Sequence, residues 1–229
     1  MEIKILEYIE GAKKAEGLTV IIDVIRAFSL DCYLFKNGAE KIIPVGDINL
    51  ARQLKKEHPD YILMGERNEQ KPEGFDYGNS PTFIQNVDFT GKIVIQTTGA
   101  GTQGIVNAVK ADEIITGSFV NAGAVAKYIK KQNPKKLSLV AMGYRGNETA
   151  DEDIFCARYI KNLLTGKPSN LEEMAETIKN GTGKRLFLPE NQAHSPASDF
   201  YLCLQVDAVD FVIKAVPCGE TSYCLTKII

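Results

Sequence analysis

Residues 92–118 read KIVIQTTGAGTQGIVNAVKADEIITGS. The apolar run Lys92–Gln96 ends in Thr97-Thr98-Gly99-Ala100-Gly101-Thr102, the pattern predicts a helix over Thr102–Lys110, and a second run, Glu113–Thr116, ends in Gly117-Ser118. Strand, glycine turn, helix and strand in that order form a crossover unit, which joins parallel strands. The same alternation extends in both directions. Upstream, Leu18–Ile22 is a continuous β-branched run, as expected of a strand buried on both faces, and it ends in Asp23-Val24-Ile25-Arg26. A helix to about Lys36 follows, then strand Lys41–Val45, a helix Ile48–Glu57 with Asp47 as its N-cap, and strand Tyr61–Met64 ending in Gly65-Glu66-Arg67. Downstream come helix Asn121–Lys131, strand Lys136–Ala141 ending in Gly143-Tyr144-Arg145-Gly146, and helix Asp151–Leu164. Strands alternating with helices over this length predict an α/β fold with a mostly parallel sheet covered by helices on both faces. In such sheets ligands bind beyond the carboxyl ends of the strands, where this chain places its polar motifs.

The flanks are less regular. Ile3–Tyr8 alternates weakly and reads as an edge strand. After Gly166-Lys167-Pro168 the pattern changes to a helix from Asn170 to Gly181, another from Ser195-Pro196 to about Leu204, and two β-like runs, Phe211–Val216 and Tyr223–Ile229. The expectation is one domain over residues 1–229, with 168–229 as a C-terminal extension on the same sheet. That extension would add a hairpin or edge strands, leaving the sheet mixed at its edges.

Composition excludes several classes. The 229 residues carry a net charge of −2 and a pI near 5.8, so nothing draws the whole chain to nucleic acid or membrane. No apolar run approaches bilayer length, and Met1–Glu7 is too charged for a signal peptide, so a cytoplasmic protein is expected. Five scattered cysteines without a C-x-x-C argue against a disulfide framework. Cys32, Cys156 and Cys203 read as small buried hydrophobes, and Cys218 and Cys224 as exposed. A homodimer is the base-rate expectation.

Gly99-Ala100-Gly101-Thr102-Gln103-Gly104 fits G-x-G-x-x-G, but the following strand ends without the acid that a dinucleotide ribose needs. The surviving reading is an anion cradle of glycine amides and threonine hydroxyls at a helix start; a plain tight turn is the alternative. Asp23 and Arg26, and Glu66 and Arg67, put acids beside guanidiniums at two strand ends, where Arg suits phosphate. An N-cap for Asp23 and a surface ion pair for Glu66-Arg67 are the plainer readings. Asp151-Glu152-Asp153 opens a helix, which either complements the dipole or supplies carboxylates to Mg²⁺. Residues 65–79 are too specific for a linker and read as an ordered loop lining the site. Two histidines without paired spacing speak against zinc, and His194 is a weak acid–base candidate.

Taken in order, Asp23-Val24-Ile25-Arg26-Ala27, Gly65-Glu66-Arg67, Gly74-Phe75-Asp76-Tyr77-Gly78-Asn79-Ser80-Pro81, Thr97-Thr98 with Gly101-Thr102, Gly117-Ser118-Phe119-Val120-Asn121-Ala122 and Glu152-Asp153 resemble the 2-phosphosulfolactate phosphatase family over about residues 20–165. The family often shows T-T-N-G-T in the cradle; here the asparagine is absent and the loop is one residue longer. The resemblance implies a three-layer α/β/α fold and a Mg²⁺-dependent phosphatase acting on 2-phosphosulfolactate, a step toward coenzyme M. On that basis Asp23, Glu66 and Asp153 are expected to hold Mg²⁺. Arg26, Arg67 and the cradle residues Thr97, Thr98, Gly99, Gly101 and Thr102 are expected to grip phosphate. Asn79, Ser80, Ser118 and Asn121 would orient the carboxylate or sulfonate of a small anionic substrate. Two other classes stay open: a nucleotide-binding oxidoreductase using the glycine loop, and a non-catalytic anion-binding module.

Overall fold

Val20, Ile21 and Ile22 are wholly buried, so the strand that carries them needs cover on both faces. The computed structural model, which describes residues 1–219 and 223–228, provides it. That strand, β2 (Gly17–Ile22), belongs to a nine-stranded sheet with β1 (Glu2–Glu7), β3 (Lys41–Pro44), β4 (Ile62–Gly65), β5 (Ile93–Thr97), β6 (Ala111–Gly117), β7 (Lys136–Ala141), β8 (Val212–Val216) and β9 (Cys224–Ile228). The order across the sheet is β1-β7-β2-β6-β8-β9-β3-β5-β4.

Helices cover both faces. α1 (Tyr8–Ala12), α2 (Ala27–Lys36) and α4 (Gly101–Asn107) pack on the inner face, where Phe28, Leu34 and Ile105 meet Ile21, Val140, Ile213, Leu225, Ile42, Val94 and Met64. On the outer face α5 (Ala122–Gln132), α6 (Asp151–Thr165), α7 (Leu171–Asn180) and α8 (Ala197–Cys203) cover Val20, Ile115 and Leu139. There α3 (Ile48–Glu57) covers Ile43, Leu63 and Ile95. α2 is buried from Ala27 to Phe35, apolar almost all round, which is why it forms the centre of the inner layer. Asp47 caps α3 through the Asn49 amide and Asn170 caps α7 through the Glu173 amide, as their sequence positions predict. Among the described residues no helix is long and apolar enough to cross a membrane.

The sheet differs from expectation in one respect that shapes the site. β1, β7, β2 and β6 are mutually parallel, as are β3, β5 and β4, but the β8–β9 hairpin lies between the two sets. Its three antiparallel pairings, β6–β8, β8–β9 and β9–β3, put the mixed region at mid-sheet rather than at the edges. The two parallel sets therefore run in opposite senses. Adjacent strands rotate by about 20–25°, so the steps from β7 to β4 add up to roughly half a turn. Rotation of that size around α2 and α4 brings strand ends from opposite edges to one place. The expected single working edge is instead two edges rolled together.

Three local readings are also corrected. α4 is shorter than predicted and ends at Asn107. Ser80, offered for a substrate acid, precedes a single 3₁₀ turn, Pro81–Ile84, and donates its hydroxyl to Asp199. Cys218 and Cys224, which β8 and β9 bring to Cα atoms 5.6 Å apart, form a disulfide, and Cys224 is buried; Cys32, Cys156 and Cys203 are buried free thiols as read.

Candidate active site

β2 ends in a turn that its own carboxylate closes. Asp23 Oδ1 accepts the Ala27 amide at 3.1 Å, and the Asp23 carbonyl accepts the Phe28 amide. Asp23 thus holds the first residue of α2 without being its N-cap, a position that Arg26 occupies, and it also lines a cavity of about 120 Å³. Burial, and then the nearby Glu66 and Glu152 carboxylates, push its pKa up to about 6, against the lowering effect of the Ala27 bond. Gly101 sits against it: a Cβ there would lie 2.8 Å from Asp23 Oδ2. Only glycine lets the β5–α4 turn approach this closely.

Glu66 and Arg67 follow β4 and line the same cavity. Glu66 Oε1 accepts the Gly99 amide at 2.7 Å, and Oε2 accepts the Glu69 amide at 2.8 Å. The carboxylate therefore spans the β4 loop and the glycine loop. Arg67 is half-buried; it donates to the Glu66 carbonyl at 2.6 Å and to Thr97 Oγ1 at 2.8 Å. Burial lowers its pKa, and no carboxylate pairs with it among the described residues. Asn79, nearly buried, lines the cavity too, and its Oδ1 has no hydrogen-bond partner.

Arg26 occupies the cavity wall with its guanidinium already engaged. It forms a fully buried ion pair with Asp199 at 2.9 Å and donates to the His194 and Glu69 carbonyls. Asp199 also accepts from Ser80, and from the Thr82 amide and hydroxyl. Arg26 and Ser80 are thus parts of a clamp that ties the β2 turn to loop 65–79 and α8. The Ser80 hydroxyl is thereby spent on Asp199, while Arg26 has its charge met by Asp199 and three of its five N–H donors engaged.

The glycine loop likewise spends its hydroxyls on itself. The Thr98 amide donates to Thr102 Oγ1, the Thr102 amide donates to Thr98 Oγ1, and the Thr102 hydroxyl donates to the Thr98 carbonyl. Thr97 is buried and accepts from Arg67. Thr98, Gly99 and Ala100 reach the cavity wall, whereas Thr97, Gly101 and Thr102 stand behind it. α4 is two turns long, so the cradle offers backbone and shape rather than a strong dipole.

Asp153 lies one layer back. Its two oxygens accept the Val24 amide at 2.7 Å and the Gly143 amide at 2.8 Å, so it joins the ends of β2 and β7. Burial, then Asp23 and Glu152, hold its pKa well above the usual carboxylate range. It does not line the cavity, and its expected place beside Mg²⁺ is taken by these amides. Ser118 and Asn121 are wholly buried in a reciprocal cap, the Asn121 Oδ1 accepting the Ser118 amide at 3.0 Å, and are remote from the cavity wall. The His194 side chain lines a different cavity.

Two features were missed. Arg185 is largely withdrawn from solvent and pairs with Glu69 and Glu152. Arg145, at φ 55°, lines the cavity mouth together with Tyr144. The only sequence signal for Arg145 was its place after a strand, between two glycines.

The donor set suits a hard divalent cation. Asp23 and Glu66 face one cavity, the Glu66 carboxylate raises the proton affinity of Asp23, and the buried Asn79 Oδ1 lacks a partner. Mg²⁺ binds through one or two carboxylates with water and substrate oxygens filling the rest. Among the described residues no group of three or more His, Cys, Asp or Glu side chains is gathered closely enough to form an all-protein cage.

Residues 3–217 match the family model described as 2-phosphosulpholactate phosphatase. A Bacillus subtilis (strain 168) protein named probable 2-phosphosulfolactate phosphatase is 32% identical over 206 residues, covering 89% of each chain. A protein of the same name from Caldanaerobacter subterraneus subsp. tengcongensis is 34% identical over 213 residues, 87% of this chain and 88% of its own. One from Caldicellulosiruptor saccharolyticus is 41% identical over 153 residues, 65% of this chain and 63% of its own.

Proposed function

The chain belongs to the 2-phosphosulfolactate phosphatase family, and from that membership we propose that it hydrolyses the phosphate monoester of 2-phosphosulfolactate to sulfolactate and phosphate, with Mg²⁺ as cofactor. The observation that carries this reading is the convergence of Asp23, Glu66, Arg67 and Asn79 on one cavity, two carboxylates with a guanidinium that forms no ion pair among the described residues. Asp23, Glu66 and Asn79 Oδ1 would hold the metal. When bound, it would neutralise charge on the phosphoryl oxygens and acidify a water.

The protein's own groups account for the remaining steps. Arg67, fixed by Glu66 and Thr97, presents its free N–H groups to phosphoryl oxygens. The nucleophile is water. It attacks phosphorus in line, and the ester P–O bond breaks on the opposite side. Asp23 accepts the proton that the attacking water loses, and the departing alkoxide, on the far side, takes its proton from solvent. Arg26 and Asp199 hold the β2 turn, and Asp153 holds it against the β7 loop, so the reacting groups need no rearrangement.

A nicotinamide-binding role has less support. The Gly99 amide, which would face a pyrophosphate, donates to the Glu66 carboxylate. A second phosphate-sized anion there would meet that like charge.

The test is phosphate release from 2-phosphosulfolactate, with Mg²⁺ and again with EDTA. Rapid release that EDTA abolishes supports the proposal, and Asp23→Asn should lower kcat by about 10²–10⁴. Release unaffected by EDTA removes the metal. Release only from other phosphate esters moves the substrate.

A further inference from the structure

We infer that Arg145 recognises the sulfonate of the substrate, the acid group farthest from the reacting phosphorus; this rests on the function just proposed. The substrate carries a phosphate, a carboxylate on the same carbon, and a sulfonate one carbon further away. Of Asn79, Ser80, Ser118 and Asn121, which the sequence offered for these acids, the last three are committed elsewhere, and Asn79 stands with Asp23 and Glu66 at the reacting end. A different partner is needed.

The charges around the cavity identify one. Three guanidiniums line it, those of Arg26, Arg67 and Arg145. Asp199 neutralises Arg26, and Arg67 stands beside Glu66 deep in the site. Arg145 is exposed and forms no ion pair or hydrogen bond with another side chain among the described residues. Its guanidinium instead lies 5.0 Å from the centre of the Tyr144 ring. Arg185 lies 5.3 Å from the same ring, but Glu69 and Glu152 neutralise it. Arg145 thus supplies the open positive charge at the cavity mouth.

Its backbone is held for that purpose. Arg145 lies in the left-handed region at φ 55°, a conformation that L-residues adopt only where the surrounding structure imposes it. The loop is fixed from several sides. Asp153 accepts the Gly143 amide, the Tyr144 and Glu148 backbones bond to each other, and the Gly146 carbonyl accepts the Ile9 amide. A Cβ on Gly99 would be 3.4 Å from Glu66 Oε1 and 4.0 Å from Arg145 Cα. The Glu66 carboxylate and the Arg145 backbone therefore lie on the same side of the cradle glycine, close to one point on the cavity wall. A phosphoryl group beside Arg67 and Glu66 leaves the distal acid directed toward Arg145. A sulfonate is always ionised and has three equivalent oxygens, two of which match a guanidinium fork.

The experiment compares 2-phosphosulfolactate with 2-phospholactate, which lacks only the sulfonate, in the wild type, Arg145→Gln and Arg145→Lys. Arg145→Gln should lower the ratio of kcat/KM for the two substrates by about tenfold, mainly through KM for the sulfonate. Arg145→Lys should recover part of it. An unchanged ratio, or an equal loss on both substrates, overturns the inference. Should the wild type hydrolyse neither substrate, the proposed function fails, and calorimetric titration with sulfolactate decides the inference by itself. Binding that weakens in Arg145→Gln upholds it; binding of equal strength in both proteins, or none in either, overturns it.

Discussion

Asp31 is wholly buried on α2, with Gln96 Nε2 donating to its Oδ1 at 2.5 Å. Asp31 Oδ2 and Gln96 Oε1 have no partners, and a single proton on Oδ2 would join them as a two-bond acid–amide pair. Burial, moderated by the Gln96 bond, holds this carboxyl well above its usual range. The sign of the pH effect follows. Below about pH 4 both folded and unfolded chains hold the proton. As pH rises past that value the unfolded chain releases it and the folded chain does not, so stability falls until the folded carboxyl also ionises. Asp31→Asn keeps both bonds and abolishes this dependence. Its melting temperature should gain on the wild type steadily from pH 4 to 7; parallel curves would mean that Asp31 is ionised in the fold. The same scale shows how far residues could be read from sequence. Asp23, Glu66 and Arg67 stand just past strand ends, where the sequence placed them, and line one cavity. Arg26, Thr102, Ser118 and Asn121 meet groups of the protein itself, because residues that bind anions also satisfy backbone groups. Sequence does not say which neighbour claims them.

Among elements, the alternating strands and helices were legible because each carries its own hydrophobic period and punctuation, as with Asp47 before α3 and Asn170 before α7. α1 was not, since its five residues follow directly on β1 through Tyr8 at φ 65° without a capping side chain. Loop 65–79 was correctly read as ordered, but its cause lies far away in sequence. Arg26 holds the Glu69 carbonyl and Arg185 holds the Glu69 carboxylate, both from outside the loop. Asp199 on α8 is the keystone of this arrangement, accepting from Arg26, Ser80 and Thr82. Asp199→Ala leaves a buried guanidinium without a counter-charge. It should cost about 3–5 kcal/mol in denaturant unfolding. Loss below 1 kcal/mol would show that water or another acid takes its place.

At the scale of the whole molecule, the β8–β9 hairpin joins two parallel half-sheets that run in opposite senses. Asp23 and Asp153 belong to one half, Glu66, Arg67 and the glycine loop to the other, so the cavity exists only where the halves meet. Sequence could not reveal this. The two closing runs read as strands, but their place in the order depends on pairing between distant segments. The Cys218–Cys224 bridge closes the hairpin. Chain-entropy arguments for so short a loop give about 2 kcal/mol. A reductant should therefore lower the melting temperature of the wild type and leave Cys218→Ser/Cys224→Ser unmoved, in thermal scans of both proteins.

The hairpin's position also bears on synthesis. The strands that fill the middle of the sheet emerge from the ribosome after all the others. Until residues 212–228 are made, β6 and β3 present open edges whose Ile114, Ile115, Ile42 and Ile43 are buried in the finished fold. Nascent chains on one messenger, each with two such edges, can pair with one another as readily as with their own missing strands. A chain whose translation stops before residue 212 therefore carries two unpaired apolar edges that the finished fold would have closed.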